Sequence, residues 1–306
     1  MEIIRNLDDL RPHQYPVVAL GNFDGLHRGH QAILRRASER ARAHDGGSAF
    51  ALTFDPPPAR VLVPQRAPRL ILTLEDKLEL LSAAAIDAVL VLQFTHALSL
   101  IEPRAFVREY LCERIGARVV VVGHSVSFGH RRAGNASVME QLGGEMGFDT
   151  EVVGPVRVDG MEVSSTKVRE MIAAGEMRTA ATLLGRNHFL RGPVVHGRER
   201  GRALGFPTAN IASRTELLPP DGVYATRVVL ADGAYPSITN IGMRPTFAEP
   251  ERTIEANIFD FDRDIYGAEV KLELVERIRG ERKFDSGAAL AAQIAADLKR
   301  AREILA

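Results

Sequence analysis

The segment PVVALGNFDGLHRGHQAILRRASERARAH, residues 16–44, decides the fold of the first half of the chain. It begins with an apolar run that predicts a buried strand, and it ends with a basic stretch that predicts a helix. Between them lies GNFDGLHRGH, Gly21–His30, in which two histidines stand three residues apart. A strand, a glycine-bracketed turn and a helix form the first unit of an alternating α/β fold.

The same alternation continues from Tyr15 to about Gly185. The apolar runs SAFALTF, AVLVLQF and VVVVG alternate with the helical stretches LEDKLELLSAAA and PRAFVREYLCERIG. Strands separated by helices indicate a parallel sheet that is covered on both faces. Ligands of such sheets bind beyond the carboxyl ends of the strands, where GNFDG, TFDPPP and VVGHS fall. We therefore expect these three loops to converge on one crevice.

The pattern changes near residues 185–190, so we predict two domains, residues 1–185 and 186–306. ATRVVLADGAYPSITNIG predicts a hairpin that turns at Asp232 and Gly233, and ANIFDFDRDIYGAEVKLELVERI predicts a second hairpin. The end of the chain predicts a helix capped by Asp285 or Ser286. Its apolar stripe consists of Leu290, Ile294, Leu298, Ala301 and Leu305. The second domain is thus predicted to be a small antiparallel barrel or sandwich closed by a helix.

Composition limits the class of partner. The chain has 306 residues, of which 45% are hydrophobic and 25% charged, and its Lys+Arg and Asp+Glu counts are both 39. These fractions are typical of a soluble globular protein, and the balanced charge provides no field for nucleic acid or an anionic membrane. We expect small-molecule partners, and the oligomeric state stays open.

Cysteine usage and the absence of targeting patterns predict the compartment. The single cysteine, Cys112, cannot form an internal disulfide and disfavours a cysteine metal site. The start of the sequence lacks the pattern of a signal peptide, and no apolar run approaches the length of a membrane span. We therefore expect a cytoplasmic protein.

The histidine pair suits phosphate chemistry. His27 and His30 can share a face at a helix start, whose free N–H groups and positive dipole end attract phosphate. Gly21, Gly25 and Gly29 let backbone and ligand approach closely. Two imidazoles there can stabilise charge that builds on phosphate oxygens. The alternative, a metal-binding pair, needs further ligands at suitable spacing, which the first domain does not offer.

This stretch resembles the HxGH signature of the nucleotidylyltransferase superfamily. In its full form it resembles the flavin adenylyltransferase module of bacterial riboflavin kinase/FAD synthetases, which implies that Phe23 also lines the nucleotide site. The partner signature is present as SSTKVRE, in which Ser164, Ser165, Thr166 and Arg169 would cradle the triphosphate. Taken alone, SST also fits an ordinary helix cap.

A second resemblance lies in GRERGRALGFPTANI, Gly197–Ile211. Its residues alone indicate only a glycine-rich turn, because the segment is not a GxxxxGK[ST] loop. GFPTAN resembles the signature of riboflavin kinases, in which Thr and Asn serve nucleotide phosphate and magnesium, and Thr208 and Asn210 match it. The resemblance also assigns phosphate contacts to Gly197, Gly201 and Gly205.

Further segments extend the resemblance over essentially the whole chain. They are LLPPDGVYATRV, NIGMRPTF, TIEANIFDFDRDIYG and ERKFDS. Phosphorylating a ribityl hydroxyl requires removal of a proton, and Glu255 occupies the base position of the family. Its residue pattern alone slightly favours a solvent-facing strand position. The implied flavin contacts are Phe54, Ser125, Phe128, Arg244 and Phe284.

The resemblance implies a bifunctional enzyme of flavin cofactor synthesis. One domain would phosphorylate riboflavin to FMN with ATP, and the other would adenylylate FMN to FAD with release of pyrophosphate. The first reaction has an alcohol nucleophile and needs a base, whereas the second has an anionic nucleophile and needs alignment and charge stabilisation. Both reactions would use Mg²⁺ to screen the polyphosphate.

Two loops depart from the family pattern. FDPPP has Pro57 where the family has histidine, and VVGHSVSFG has Ser125 and Val126 where the family has Asp or Asn followed by Phe. His124 or His130 are candidates to replace the lost imidazole.

Three alternatives therefore stay open. The first is a riboflavin kinase whose first domain is weakened or retuned to another nucleotide or acceptor. The second is a non-catalytic flavin-binding or regulatory protein, which would not need two phosphate-handling signatures. The third is a relative of aminoacyl-tRNA ligases, which would need a basic surface and an anticodon-binding extension.

Overall fold

The computed structural model describes residues 1–196, 208–244 and 251–306. The chain divides into two compact units, Met1–Ser165 and Thr166–Ala306. Each unit has its own sheet, and the two architectures differ in strand direction.

The first unit is a parallel sheet covered by helices, as predicted. Its strands are β1 Glu2–Ile4, β2 Pro16–Leu20, β3 Ser48–Phe54, β4 Ala88–Leu92, β5 Val119–Gly123 and β6 Asp149–Val153. They lie in the order β1-β4-β3-β2-β5-β6, and every neighbouring pair is parallel. A small antiparallel pair, β7 Arg157–Val158 and β8 Met161–Glu162, follows the sheet.

The helices of this unit fall between the strands. They are α1 Arg28–Arg42, α2 Pro58–Leu62, α3 Leu74–Ala83, α4 His96–Ser99, α5 Pro103–Phe106 and α6 Ala136–Met146, and a π-helical segment, Val107–Ile115, continues α5. α1 packs against β2, β3 and β5. The apolar stripe of α1 is buried on that side through Ile33, Leu34, Ala37 and Ala41.

The strand order reverses at β2. From β2 the chain continues to β3 on one side, whereas β5 lies on the other side. Ligands of open α/β sheets bind at such a reversal, outside the carboxyl ends of the strands. The loops GNFDG, TFDPPP and VVGHS leave the adjacent strands β2, β3 and β5 at this edge. Their predicted convergence at one edge of the sheet is confirmed.

The second unit is a closed antiparallel barrel, which confirms the predicted class. Its elements are α7 Ser165–Ala174, α8 Met177–Leu184, β9 His188–Val195, β10 Ala209–Ile211, β11 Gly222–Leu230, β12 Gly233–Arg244, β13 Glu251–Ile258, β14 Glu269–Gly280 and α9 Gly287–Leu305. The strands close in the order β10-β13-β12-β11-β14-β9, with antiparallel pairing throughout.

One of the two predicted hairpins is wrong. β11 and β12 form the first hairpin, although Gly233 already pairs with Leu230, so that the turn consists of Ala231 and Asp232. β13 and β14 do not pair, because β13 lies between β10 and β12 while β14 lies between β9 and β11. The connection between them starts beside β12, where the N–H of Phe259 donates a hydrogen bond to the carbonyl oxygen of Pro236. It ends beside β9, where the N–H of Gly267 donates to the carbonyl oxygen of Val194. Local alternation identifies strands but not their partners.

The C-terminal helix closes the outside of the barrel. Ser286 is the cap, since its hydroxyl accepts a hydrogen bond from the N–H of Ala289 at 3.2 Å. Ala301 and Leu305 pack with Ala225 of β11 in a cluster that also contains Phe259. The C-terminal part of the predicted stripe, Leu298, Ala301 and Leu305, therefore faces the barrel.

His188 is a buried imidazole at the start of β9. Its side chain is 1% exposed, and its Nε2 lies 3.2 Å from the carbonyl oxygen of Leu217. Burial lowers the pKa of His188 to about 4, so the ring is neutral near pH 7 and donates to that carbonyl.

This burial predicts acid sensitivity of the protein. As pH falls from 6.5 towards 4, the unfolded state binds a proton at His188 that the folded state does not bind. The free energy of unfolding therefore decreases by about 3 kcal/mol over this range. His188→Gln keeps a donor but cannot titrate, so its unfolding free energy should depend less on pH across this window. Denaturant unfolding of both full-length proteins at pH 7.5 and pH 5 measures the difference. Equal pH dependence of the two proteins would show that His188 does not titrate in this way.

Candidate active sites

The turn after β2 has an unusual backbone. Phe23 and Leu26 adopt positive φ angles of 50° and 40°, and Gly25 has a φ of 82°. Non-glycine residues adopt such angles at a cost of about 1–3 kcal/mol, and they persist only where packing fixes them. Phe23 is fully buried, and a Cβ on Gly25 would approach Cδ1 of Ile71 to 2.8 Å. Packing thus holds the turn from both sides.

The two histidines stack on each other, which confirms that they share a face. Their ring centroids are 3.6 Å apart at an interplanar angle of 18°. His27 is the N-cap of α1, and its Nδ1 accepts a hydrogen bond from the N–H of His30 at 3.3 Å. When His27 is neutral, its proton is therefore on Nε2, which acts as a donor. His30 also lies edge-on against Phe23, with a centroid distance of 5.4 Å.

Two glycines of the signature fit tightly around these rings. A Cβ on Gly29 would lie 3.1 Å from both Cε1 and Nδ1 of His27. A Cβ on Gly21 would lie 3.0 Å from the ring of Phe23. Both spacings are shorter than ordinary van der Waals contact, so larger residues here would displace the aromatic rings. Gly29 thus makes room for the ring of His27, and Gly21 makes room for the ring of Phe23.

Asp24 anchors the turn, a role that the sequence analysis missed. The side chain is 7% exposed, and its Oδ1 accepts hydrogen bonds from the N–H groups of Ile71 and Leu72 at 3.1 and 3.3 Å. Its carbonyl oxygen accepts a hydrogen bond from Oγ of Ser165 at 2.9 Å. The signal was its position between two glycines, where a short acceptor can reach neighbouring backbone.

The hydrogen bond of Ser165 links the two signatures. Ser165 is the first residue of α7, and its hydroxyl binds the HxGH turn directly. Ser164 precedes the helix, and Thr166 and Arg169 follow within its first turns. The hydroxyl of Ser165 therefore supports the turn, and the triphosphate contacts of Ser164, Ser165, Thr166 and Arg169 stay a prediction.

The second loop carries Phe54 and Pro57. Phe54 ends β3 and is half-buried, with its ring edge-on to Phe94 at a centroid distance of 5.6 Å. Pro57 occupies the N-cap position of α2 and makes no side-chain capping bond. Phe54 therefore offers an aromatic surface at the site edge, whereas the side chain of Pro57 has no polar group.

The third loop follows β5. Ser125 is exposed, and Val126 is half-buried against the core of the first unit. Phe128 is 8% exposed, and its ring centroid lies 6.1 Å from that of Phe106 in the same core. Ser125 is accordingly exposed to a ligand, whereas the ring of Phe128 packs in the core and holds the loop in place.

The two candidate replacement histidines contact glutamates. Nε2 of His124 lies 3.2 Å from Glu162, and Nδ1 of His130 lies 3.0 Å from Glu102. Both pairs are on the surface of the first unit. Each imidazole thus already has an acidic partner.

The second unit brings three predicted kinase residues close together along β10 and β13. Asn210 of β10 lies directly opposite Glu255 of β13, and Glu255 lies opposite Asn240 of β12. Directly opposed residues project to the same face of a sheet, so a carboxylate stands between two amides. Thr208 immediately precedes β10. The sequence analysis missed Asn240 because it could not assign strand register.

Other predicted kinase residues are placed less completely. Gly197, Gly201 and Gly205 lie outside the described residues, and Arg244 is the last residue of β12. Phe284 is half-buried between β14 and α9, and the guanidinium of Arg279 lies 5.7 Å from its ring centroid.

An ion pair fixes α9 near Phe284. Asp297 of α9 is 4% exposed, and Arg279 donates to it from Nε at 2.9 Å. Gln293 donates to the other carboxylate oxygen at 2.8 Å. Because the carboxylate is satisfied on both oxygens, it holds the helix beside the end of β14.

Oxygen ligands for a cation are available at β10. Thr208 and Asn210 provide a hydroxyl and an amide oxygen, and Glu255 provides a carboxylate across the strand pair. These are the hard donors that Mg²⁺ prefers. Within residues 1–196, 208–244 and 251–306, no group of three or more His, Cys, Asp or Glu side chains has metal-binding geometry.

Across the same ranges, no helix is both long and apolar enough to cross a membrane.

Comparison with known proteins identifies relatives for each unit. The chain matches the FAD synthetase family over residues 10–167 and the riboflavin kinase family over residues 184–305. It is 35% identical to the bifunctional riboflavin kinase/FMN adenylyltransferase of Escherichia coli (strain K12), over 99% of this chain and 97% of the relative. The corresponding protein of Bacillus subtilis (strain 168) is 36% identical over 93% of this chain and 91% of the relative.

A solved structure shares the architecture. The crystal structure of a Streptococcus pneumoniae protein described as a macrolide-efflux protein has a TM-score of 0.89 and 32% sequence identity, with 98% of both chains covered. That description differs from the names of the sequence relatives, and the likeness concerns the fold. The two family matches and the full-length relatives agree with each other and with the two sites, and the chain belongs to the family of bifunctional riboflavin kinase/FMN adenylyltransferases.

Proposed function

We propose that this chain makes FMN from riboflavin and ATP in its second unit and FAD from FMN and ATP in its first. The observation that carries the proposal is the separation of two phosphate-handling constellations, one around His27 and His30 and one around Asn210 and Glu255. Among the described residues, the carboxylate placed as a base is Glu255 of the second constellation. This division matches the different nucleophiles of the two reactions.

Glu255 is the proposed general base of the kinase reaction. Its carboxylate accepts the proton of the ribityl hydroxyl as that oxygen bonds to the γ-phosphorus of ATP, and ADP leaves with the electrons of the broken P–O bond. Thr208 and Asn210 hold the nucleotide phosphates beside it, because Asn210 is its cross-strand neighbour. These residues fit Mg²⁺, which would screen the polyphosphate charge when bound.

His27 and His30 are the proposed catalytic pair of adenylylation. A phosphate oxygen of FMN bonds to the α-phosphorus of ATP, and the bond to pyrophosphate breaks without removal of a proton from the nucleophile. Nε2–H of His27 donates to phosphate oxygens, with His30 stacked beside it and the positive end of α1 adjacent. Gly21, Phe23, Gly25 and Gly29 shape the nucleotide side of the turn.

Flavin contacts and cellular context complete the proposal. Phe54, Ser125 and Phe128 belong to the FMN side of the first unit, and Arg244 and Phe284 belong to the riboflavin side of the second. We place the domain division between residues 185 and 186, after the end of the FAD synthetase match at residue 167 and just inside the start of the riboflavin kinase match at residue 184. A cytoplasmic location agrees with the single cysteine, Cys112, which fits a reducing compartment.

The base assignment predicts the effect of one substitution. Glu255→Gln should lower FMN formation by about two to four decades, which is the usual contribution of a general base. Steady-state kinetics with riboflavin and Mg-ATP measure it, with Glu269→Gln on β14 as a matched control. Unchanged FMN formation in Glu255→Gln would remove this residue from the mechanism.

The two-site arrangement predicts that the activities can be separated. His27→Ala combined with His30→Ala should abolish FAD formation from FMN and leave FMN formation nearly intact, because the two pairs of residues lie in different units. His44→Ala, which alters an imidazole stacked on Tyr15 instead, serves as the control. Loss of FMN formation by a folded double variant would contradict the two-site model.

The loop departures predict a weakened or retuned first site. Each lost charge-assisted hydrogen bond can cost about 1.5–3 kcal/mol, or about one to two decades in rate or affinity. The triple variant Pro57→His, Ser125→Asp and Val126→Phe should therefore adenylylate FMN faster than the natural chain. Product chromatography with ATP, CTP and GTP tests both proteins. Fast ATP-dependent FAD synthesis by the natural chain, without a gain in the triple variant, would refute the idea.

A further inference from the structure

Lys77 is a buried cation beneath the HxGH turn. It lies on α3, and its side chain is 5% exposed. Its ammonium donates hydrogen bonds to the carbonyl oxygen of Asn22 at 3.1 Å and to Oγ1 of Thr53 at 3.3 Å. Lysine side chains are almost never fully buried unless they are paired, so the burial of Lys77 indicates a specific role for its ammonium.

The contacts of Lys77 meet at one peptide of the turn. The hydroxyl of Thr53, on β3, also donates to the carbonyl oxygen of Asn22, at 3.2 Å. That carbonyl group is joined to the nitrogen of Phe23, whose φ is 50°. Phe23 in turn supports the ring of His30. A short chain of contacts therefore leads from the ammonium to the histidine pair.

Burial of this ammonium is unfavourable. Desolvation lowers the pKa of Lys77, and the charges of Asp24 and Asp55 oppose this only in part. Both ammonium bonds go to neutral oxygens, which a neutral donor could also reach. The two hydrogen bonds alone therefore do not require the positive charge, which the carboxylates of Asp24 and Asp55 favour and which also acts on anions at the turn.

We infer that Lys77 is a positioning residue for adenylylation, which fixes the Asn22–Phe23 peptide under His30 and adds positive potential beneath the phosphate-binding turn. The inference rests on the proposed function of the first unit. It assigns to α3 a part in the reaction that neither histidine nor the SSTKVRE segment supplies. Because the ammonium lies under the turn backbone, it acts through the turn and through its field.

Two substitutions separate the hydrogen bond from the charge. Lys77→Met fills a similar volume but removes both, whereas Lys77→Gln keeps a donor and removes only the charge. We expect the kcat for FAD formation to fall at least tenfold in Lys77→Met and by a smaller factor in Lys77→Gln. The KM for riboflavin and the rate of FMN formation in the same samples should stay within about twofold, which controls for folding of the second unit.

Two further measurements distinguish positioning from general destabilisation. Ring ¹H–¹⁵N spectra should show shifted signals of His27 and His30 in Lys77→Met, with the signals of His44 unchanged. Thr53→Val removes the other hydrogen bond to the carbonyl oxygen of Asn22 and leaves the charge, so it should reduce the kcat less than Lys77→Met does.

Three results would overturn the inference. The first is a kcat for FAD formation in Lys77→Met within twofold of the natural chain. The second is a loss that is accompanied by unfolding of the first unit in thermal melts. The third is unshifted ring signals of His27 and His30. A natural chain that forms FMN but no FAD would instead refute the proposed function of the first unit, and the comparison with the natural chain separates that failure from the other three.

Discussion

The first site depends on the carboxylate of Asp24. This single buried side chain binds the backbone at Ile71 and Leu72, while its own carbonyl group receives the hydroxyl of Ser165. Three separate parts of the first unit therefore meet at one residue of the turn. This anchor acts together with the packing around Phe23 and Gly25 to hold the positive φ angles of the turn, on which the stacked rings of His27 and His30 depend.

The two units solve different chemical problems with different backbones. In the parallel sheet, strand order reverses at β2, so that loops from adjacent strands can surround a substrate at a helix start. In the barrel, polar groups come from the faces of paired strands, and register alone brings Asn210, Glu255 and Asn240 into line. An anionic nucleophile suits the first arrangement, and an alcohol that must lose a proton suits the second.

The sequence predicted the elements better than their partners. Strong hydrophobic patterns located β2, β3 and β5, and turn chemistry located the hairpin at Ala231–Asp232 to within one residue. The predicted pairing of β13 with β14 was wrong, because barrel closure depends on contacts between distant segments that alternation does not encode. Histidine spacing predicted the shared face of the pair, since helix geometry is local. The roles of Asp24, Lys77 and Asn240 could not be predicted, because they depend on neighbours far away in the sequence.

The closed barrel also bears on how the protein resists aggregation. Within the described residues of the second unit, each strand has two neighbours, so no row of unpaired backbone groups is left for another chain to extend. The open sheet of the first unit ends instead at β1, which is only three residues long, and at β6, which carries Asp149 and Glu151. Arg36 and Arg40 of α1 bind these carboxylates and place further charge along that border. A short strand at one side and a charged one at the other make edge-to-edge association between folded molecules unfavourable.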